Sequence, residues 1–249
     1  MKIRDTFLLP LAGVVLVLAV WQATVVLYRL PVIVLPPPWD VALALVQLTG
    51  THAFWRDVGV SLFEFASGFT IGGLLGVAMG LAIGESRTFR LASTPVVESL
   101  RFVVPFAWIP LTILWFGTSY TGKIALVAYA VFFVMVVSTA RAVAAVDPTL
   151  SRVGTALGMG RWRLAWSVHV RAAAPTIASA ARAAAAIGWI AVVAAEYIGA
   201  SAGLGLMITN AASSLATPVV IAGMIVIGLI GAGVSALIGW LARLRLDYR

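Results

Sequence analysis

Long apolar runs dominate the chain and recur six times between short polar segments. A membrane-spanning helix needs about 20 mainly apolar residues. The runs that qualify predict spans at residues 7–30, 58–84, 101–117, 124–145, 175–198 and 218–241. The third run is the weakest, because Pro105 and Pro110 interrupt it, and we expect a kinked helix there, buried in the bundle. The pattern predicts an all-α polytopic membrane protein with one transmembrane domain over residues 1–249.

The connections between these runs carry their own signals. Three consecutive prolines precede a short helical stretch at residues 41–49, and residues 201–205 interrupt the chain after the fifth run. Residues 141–171 form the longest connection. A helix is expected within it, with Asp147 as the N-cap and Pro148 at the first helical position.

Basic residues favour one side of the predicted membrane. With the N-terminus inside, the cytoplasmic side receives Lys2, Arg4, Arg87, Arg90, Arg101, Arg141, Arg152, Arg161, Arg163, Arg171, Arg243, Arg245 and Arg249. The other side receives Arg29, Arg56 and Lys123, while Arg182 falls inside a span. This asymmetry follows the positive-inside rule, and an odd number of spans does not produce it. We therefore expect six helices with both termini in the cytoplasm.

Composition excludes most soluble functions. Of the 249 residues, 62% are hydrophobic and 10% are charged, against about 45–50% and about 25% in soluble domains. The net charge of +8 does not indicate nucleic-acid binding, because the basic residues punctuate apolar runs instead of forming one patch. The chain has no cysteine, and its two histidines, His52 and His169, are far apart. We expect no metal site and no cofactor in this chain.

One segment nearly spells a phosphate-binding loop. Residues 117–124 place two glycines before Lys123, but Ile124 stands where the motif needs a serine or threonine to hold magnesium. No strand is predicted before it, and the expected topology puts it outside. The chain is therefore not expected to bind ATP.

The second span carries a glycine at every fourth position: Gly68, Gly72, Gly76, Gly80 and Gly84. Such a seam has no side chains to hold helices apart, so it permits close backbone packing. We expect packing within this subunit, and a contact with another subunit is the alternative.

Three ionisable residues, Glu64, Arg182 and Glu196, lie inside predicted spans, where such groups are costly and usually functional. Arg182 and Glu196 are about 21 Å apart along a helix, so they cannot pair directly. Arg182 can snorkel to the cytoplasmic surface, Glu196 is expected where water reaches it, and Glu64 can pair with a basic group on another helix. Structural ion pairing is expected, with contact to a substrate in a translocation path as the alternative.

The segment at residues 147–163 needs a partner. It predicts a short helix broken by glycines, with an apolar edge formed by Leu150, Val153 and Leu157. From the residues alone, the partner is either the lipid headgroups or a soluble protein.

Motifs spread over almost the whole chain form a specific set. They are residues 35–38 (LPPP), 61–62 (SL), 68–69 (GF), 100–110 (LRFVVPFAWIP), 113–117 (ILWFG), 181–182 (AR), 188–189 (GW), 195–196 (AE) and 203–205 (GLG). Together they resemble the inner-membrane permeases of ABC importers, of the nitrate/sulfonate/taurine/bicarbonate type. The resemblance implies a type I importer permease fold, in which residues 147–163 are the coupling helix that docks on an ATPase subunit.

The resemblance assigns ATPase docking to Leu150, Arg152, Val153, Gly154, Leu157, Gly158, Met159 and Arg161. The family motif runs Glu-Ala-Ala, three residues and glycine; this chain keeps Leu157 and Gly158, but residues 152–154 (RVG) replace Glu-Ala-Ala. Arg171 replaces the terminal proline of the motif. We hypothesise that the chain is the degenerate half of a heterodimeric permease whose partner carries the intact motif. A homodimer with a drifted motif is the alternative.

The resemblance implies a translocation subunit with no catalytic residue. ATP and Mg²⁺ would belong to two cytoplasmic ATPase subunits, a second permease would complete the pore, and an extracytoplasmic binding protein would deliver the solute. The expected solute is a small anion such as a sulfonate or nitrate, or a small heterocycle, and the expected location is a prokaryotic inner membrane. The alternatives are an ion-gradient-driven secondary transporter with Glu64 or Glu196 as a proton site, and a membrane scaffold.

Overall fold

The structure is a computed structural model that describes residues 3–199 and 201–246, with side chains described over residues 11–160, 162–199 and 201–242. Its helices are α1 Ile3–Tyr28, α2 Pro38–Thr49, α3 His52–Glu85, α4 Arg87–Leu100, α5 Ile109–Phe116, α6 Tyr120–Ala144, α7 Pro148–Ala156, α8 Arg161–Leu164, α9 Val170–Gly199, α10 Leu204–Ser213 and α11 Thr217–Leu246. A 3₁₀ turn, Pro105–Trp108, leads into α5, and a π turn, Ala165–His169, joins α8 to α9.

Among the described residues, five helical segments are long and apolar enough to cross a membrane. They are Leu11–Tyr28, His52–Glu85, Tyr120–Ala144, Trp162–Gly199 and Thr217–Ala242. A sixth candidate is the pair Arg87–Leu100 and Pro105–Phe116, whose two parts are bent by 83°. The predicted all-α fold is confirmed, with six candidate spans when the bent pair is counted as one.

Several helices begin before the predicted spans. α3 starts at His52 instead of residue 58, because Thr51 caps it by accepting the N–H of Phe54 at 3.3 Å. The polar residues in these first turns lower the local hydropathy and hide the helix from a hydropathy-based prediction. α9 also begins before its predicted start and passes through Pro175, which removes one backbone hydrogen bond without ending the helix.

The third span differs most from its prediction. A kinked helix at residues 101–117 was expected, and the structure instead has α4, an irregular break at residues 101–104, and then the 3₁₀ turn and α5. Polar side chains on α4, among them Glu98 and Ser99, make it amphipathic, and this is why the apolar run seemed to start later.

The break lies beside the middle of α6. The Tyr129 hydroxyl donates to the Leu100 carbonyl at 2.7 Å and lies 3.2 Å from the Val103 carbonyl. Arg101 therefore lies at the level of Tyr129, near the middle of α6, and not at the α7 end of the bundle, where the predicted topology places cytoplasmic residues. Counting charges cannot detect a basic residue placed in a break within a span.

α6 is the centre of the bundle and packs on both α3 and α9, which also contact each other. Val127, Val131 and Val136 on α6 are completely buried. The five-glycine seam of α3 faces α6: a Cβ on Gly68 would lie 2.5 Å from the Cβ of Val127, and one on Gly80 would lie 2.6 Å from that of Thr139. Close packing of α3 and α6 in this chain therefore depends on the absence of side chains along the seam.

Two ends of the bundle are distinguished by their short helices. At the α7 end, α3 terminates beside α6, where Gly84 contacts Val143. At the opposite, α10 end, α2 and α10 pack on α11. The predicted stretch at residues 41–49 is part of α2, which buries Val41 and Ala44 against Ala222.

Candidate docking surface and intramembrane polar cluster

The helix predicted in the longest connection is present as α7. Asp147 caps it, because its Oδ1 accepts the N–H of Thr149 at 2.8 Å, and Pro148 follows at the first helical position. That hydrogen bond holds the pKa of Asp147 below its ordinary value. Gly158, two residues after the end of α7, has a φ of +75°, a backbone conformation that favours glycine.

Most of the predicted docking residues lie on the outside of α7 and the turn after it. Leu150, Val153 and Leu157 are exposed, Leu157 by 72%, and Arg152 and Gly158 are exposed too. Trp162 on α8, which the sequence prediction did not include, has a side chain that is 78% exposed and lines an apolar groove together with Trp166. We name the apolar surface of Leu150, Val153 and Leu157 the α7 surface.

Two of the predicted docking residues differ from this pattern. Gly154 is buried, because the side chain of Leu164 lies where its Cβ would be, and it therefore faces α8 instead of a partner. Met159 is half-buried beside it. The side chain of Arg161 lies outside the described residues.

A chain of polar contacts fastens α7 to two long helices. Ser151 Oγ on α7 lies 2.8 Å from His169 Nε2 in the π turn, and His169 Nδ1 contacts Glu85 Oε1 at the end of α3. Because the π turn continues into α9, His169 ties α7 to both α3 and α9. The sequence prediction missed this role, since nothing in the spacing of these three residues brings them together.

A large apolar groove opens beside these contacts. Its volume is about 1270 Å³, and it runs between the α7-end halves of α3 and α9, lined by residues such as Leu74, Val77, Trp166 and Ile177. Glu85 lies at its rim. No Lys or Arg of the described residues lines this groove, so it offers no full positive charge to an anionic solute.

Near the α10 end, a carboxylate and an ammonium group form a buried ion pair. Lys123 Nζ on α6 lies 2.7 Å from Glu64 Oε1 on α3, and the two side chains are 5% and 0% exposed. The expectation that Glu64 pairs with a basic group on another helix agrees with this geometry. Lys123 was expected outside the membrane, yet it is buried in the bundle. Its ammonium group already faces a carboxylate, and it does not project from a phosphate-binding loop.

Glu196 joins the same buried region and holds α10 in place. Its Oε1 accepts the Ser61 hydroxyl at 2.5 Å, and its Oε2 accepts the N–H of Gly205 at 2.8 Å, in the first turn of α10. Ser61 in turn accepts the N–H of Leu204 at 3.0 Å. Glu196 is fully buried, so the expectation that water reaches it was wrong. A carboxylate at a helix N-terminus is favoured by the helix dipole.

Arg182 is separate from these acidic residues. Its Nε donates to Ser235 Oγ on α11 at 3.3 Å, and the side chain is exposed. The structure thus brings Glu64 and Glu196 to one buried cluster with Lys123 and leaves Arg182 on another surface.

Three proteins similar in sequence to this chain are named as transport or import permeases. It is 34% identical to the taurine transport system permease protein TauC of Escherichia coli K12, over 89% of this chain and 82% of that protein. It is 31% identical to a putative aliphatic sulfonates transport permease protein, SsuC of Bacillus subtilis, over 94% and 84% of the two chains. It is 29% identical to the nitrate import permease protein NrtB of Leptolyngbya laminosa, over 85% and 77%.

The fold has a solved counterpart. The MetNI methionine ABC transporter in an inward-facing conformation matches with a TM-score of 0.66, at 16% identity, over 77% of this chain and 95% of that one. Residues 72–245 match the family described as binding-protein-dependent transport system inner membrane component. The chain therefore belongs to that family, as a multi-pass ABC importer permease of the nitrate/sulfonate/taurine/bicarbonate type.

Proposed function

We propose that this permease imports a small oxyanion, driven by two cytoplasmic ATPase subunits and supplied by an extracytoplasmic binding protein. A second permease subunit completes the pore, ATP and Mg²⁺ are bound by the ATPases, and both termini of this chain are cytoplasmic. The names of the relatives, which refer to taurine, sulfonates and nitrate, support an anionic solute.

The observation that carries the proposal is that the α7 surface is exposed while α7 itself is held by polar contacts to α3 and α9. Leu150, Val153 and Leu157 expose apolar area that water does not favour, which suits docking on a protein. The contacts of Ser151, His169 and Glu85 transmit a displacement of α7 to α3 and α9. ATP-driven closure of the ATPases then moves the lining helices, and nucleotide biases the pore between two access states.

A transport assay with the complete complex in proteoliposomes tests this role. Leu157→Asp places a charge in the docking contact and is expected to lower both ATPase activity stimulated by the binding protein and uptake of the solute. Val34→Asp is the control, because Val34 is also exposed but lies in the connection between α1 and α2. Unchanged ATP hydrolysis and uptake in Leu157→Asp would contradict the proposal.

The expected orientation has an independent test. Since the chain lacks cysteine, a single Leu157→Cys or Val34→Cys gives one labelling site in this subunit. A membrane-impermeant maleimide added to intact cells is expected to label position 34 and to reach position 157 only after lysis. Labelling of position 157 in intact cells would reverse the topology.

The proposal includes a heterodimeric permease. Arg152 is exposed and places a cation where the family motif has a carboxylate. Native mass spectrometry of the purified complex is expected to find one copy of this chain and one copy of a second permease. Two copies of this chain in each complex would establish the homodimer.

The ion-gradient alternative has a distinct outcome. The buried Glu64, Lys123 and Glu196 region is the group of residues that would carry protons in such a mechanism. Its contacts to Ser61 and the first turn of α10 support a structural role instead. Uptake that survives ATP depletion and stops with an ionophore would favour the alternative.

A further inference from the structure

A second cavity lies beside the break in the third span. Its volume is about 440 Å³, and its lining runs along α6 from Tyr129 to Ser138 and reaches Ile187 on α9. These positions fall in the middle of α6 and α9, so the cavity lies at mid-depth in the bundle. Its volume is within the range of about 300–1,000 Å³ that is usual for small-molecule sites.

The polar groups of this cavity are few and specific. Arg101, Tyr129 and Ser138 line it together with apolar residues of α6 and the break. Tyr129 is occupied in holding the break by its hydrogen bond to Leu100. Arg101 therefore supplies the positive charge of the cavity.

The guanidinium group of Arg101 is only partly satisfied. Its Nη2 lies 2.6 Å from Glu98 Oε2, one turn earlier on α4, and its Cζ lies 4.8 Å from the centre of the Phe102 ring. Nε is buried without a hydrogen-bond partner within residues 11–160, 162–199 and 201–242. Because a guanidinium has five N–H donors, this single carboxylate leaves others to serve a ligand.

The depth of Arg101 restricts what its surface can face. The side chain is 30% exposed on a chain whose spans are surrounded by lipid. A cation at mid-depth is costly against hydrocarbon, and such groups face the bundle interior or a water-filled path. The surface formed by the break, α6 and Ile187 therefore faces the second permease and the water between the two subunits.

We infer that Arg101 is the anion-binding residue of the translocation path, with Glu98 as the counter-ion of the empty site. This inference rests on the proposed function, and it names one position where the imported oxyanion stops. A sulfonate, nitrate or carboxylate accepts two parallel N–H donors from a guanidinium. The solute competes with Glu98 for Arg101, so the site releases it without trapping it, as transport requires.

Cysteine chemistry tests this site without knowledge of the natural solute. In the full complex in nanodiscs, Ser138→Cys places a thiol in the lining of the cavity, and mass spectrometry reads its modification on this chain. The probes are two methanethiosulfonate reagents, one bearing an ethylsulfonate anion and one an ethyltrimethylammonium cation. With Arg101 present, the anionic reagent is expected to be favoured. Adding Arg101→Gln is expected to lower the anion-to-cation ratio of modification rates by about tenfold, the effect of one nearby charge at intermediate dielectric.

Matched variants separate charge from structure. Arg101→Lys keeps the charge and is expected to keep the ratio, whereas Glu98→Gln is expected to raise it. Methanesulfonate at millimolar concentration is expected to slow modification when Arg101 is present and to have no effect in Arg101→Gln. Arg90→Gln removes a charge from α4, the helix that carries Glu98, outside the cavity lining, and is expected to leave the ratio unchanged.

The outcomes distinguish this inference from the proposed function. A ratio unaffected by Arg101→Gln, or equal protection by methanesulfonate in both backgrounds, overturns the assignment of Arg101 even if the complex imports anions. Failure of the wild-type complex to accumulate any anion in an ATP-dependent manner overturns the proposed function, whatever the modification rates at position 138 are.

Discussion

Lys123 Nζ lies 2.7 Å from Glu64 Oε1, and neither side chain has appreciable contact with the surroundings of the bundle. The pair joins α3 to α6 on the α10 side of the glycine seam. Removing one partner of such a pair leaves an uncompensated buried charge, which is more harmful than removing both. The ion pair therefore predicts that a single substitution lowers the free energy of unfolding more than the double substitution does.

Lys123→Met is expected to lower the free energy of unfolding by about 3–5 kcal/mol, the cost of breaking a buried pair from one side. The double variant Lys123→Met/Glu64→Gln is expected to recover most of that loss. Thermal unfolding of the purified chain in detergent measures both. Arg56→Met is the control, because its ion pair with Asp57 involves a guanidinium that is 61% exposed, and exposed pairs contribute about 0–1 kcal/mol. Equal losses in the single and double variants would contradict the pairing.

Neighbouring glycines on α3 are expected to respond in opposite directions. A Cβ on Gly72 would collide with the backbone of Ala128 on α6, whereas a Cβ on Gly73 would meet no atom of the described chain within 4 Å. Gly72→Ala is expected to destabilise the protein by about 1–3 kcal/mol, as overpacking does. Gly73→Ala is expected to stabilise it by up to about 1 kcal/mol, through helix propensity. The same thermal unfolding assay compares them, and a similar response at both positions would show that the seam is not in contact.

His169→Ala is expected to uncouple ATP hydrolysis from transport. The substitution removes the contacts to Ser151 and Glu85 and leaves the exposed face of α7 unchanged. ATPase activity should persist while uptake per ATP hydrolysed falls by about fivefold or more. A fivefold effect corresponds to the lower end of the coupling free energies that are usual between two sites. His52→Ala is the matched control, since His52 is exposed at the start of α3. A parallel loss of hydrolysis and uptake would indicate lost docking instead.

Gly203→Ala is expected to be more harmful than Gly117→Ala. Both glycines have positive φ, +127° and +62°, with extended ψ values of 166° and −152°, and an alanine is strained there by about 1–3 kcal/mol. A Cβ on Gly203 would also strike the Glu196 carboxylate, whereas one on Gly117 has open space within the described residues. Gly203→Ala should therefore loosen α10, measured as faster hydrogen exchange of residues 204–213. Equal hydrogen exchange in both variants would argue against Glu196 as the residue that holds α10 in place.

The sequence could predict features that repeat along one helix. The apolar runs located the spans, and the four-residue spacing of glycines located the surface of α3 that meets α6. The N-cap at Asp147 was predictable because capping depends on neighbouring residues alone. These features need no knowledge of which helices become neighbours.

Features that depend on depth or on neighbours could not be predicted. Arg101 was assigned by charge counting, which has no information about a break inside a span. Glu196 was expected in water because it is near the end of its helix, but residues 201–205 fold back and cover it with the first turn of α10. His169 had no visible role until the fold brought Glu85 and Ser151 to it.

The glycine seam also limits how the permease can change shape. With the backbones of α3 and α6 this close, the two helices cannot slip past each other by one residue, since Val127 and Thr139 already fill the spaces left by Gly68 and Gly80. We therefore expect α3 and α6 to move together as one rigid body. The hinges for such a motion are expected at the irregular segment of residues 101–104 and at the π turn Ala165–His169. There the backbone is not held by regular α-helical hydrogen bonds, so the flanking helices can change their angle. In the proposed alternating-access mechanism, this subunit is accordingly expected to pivot about these two segments instead of sliding α3 along α6.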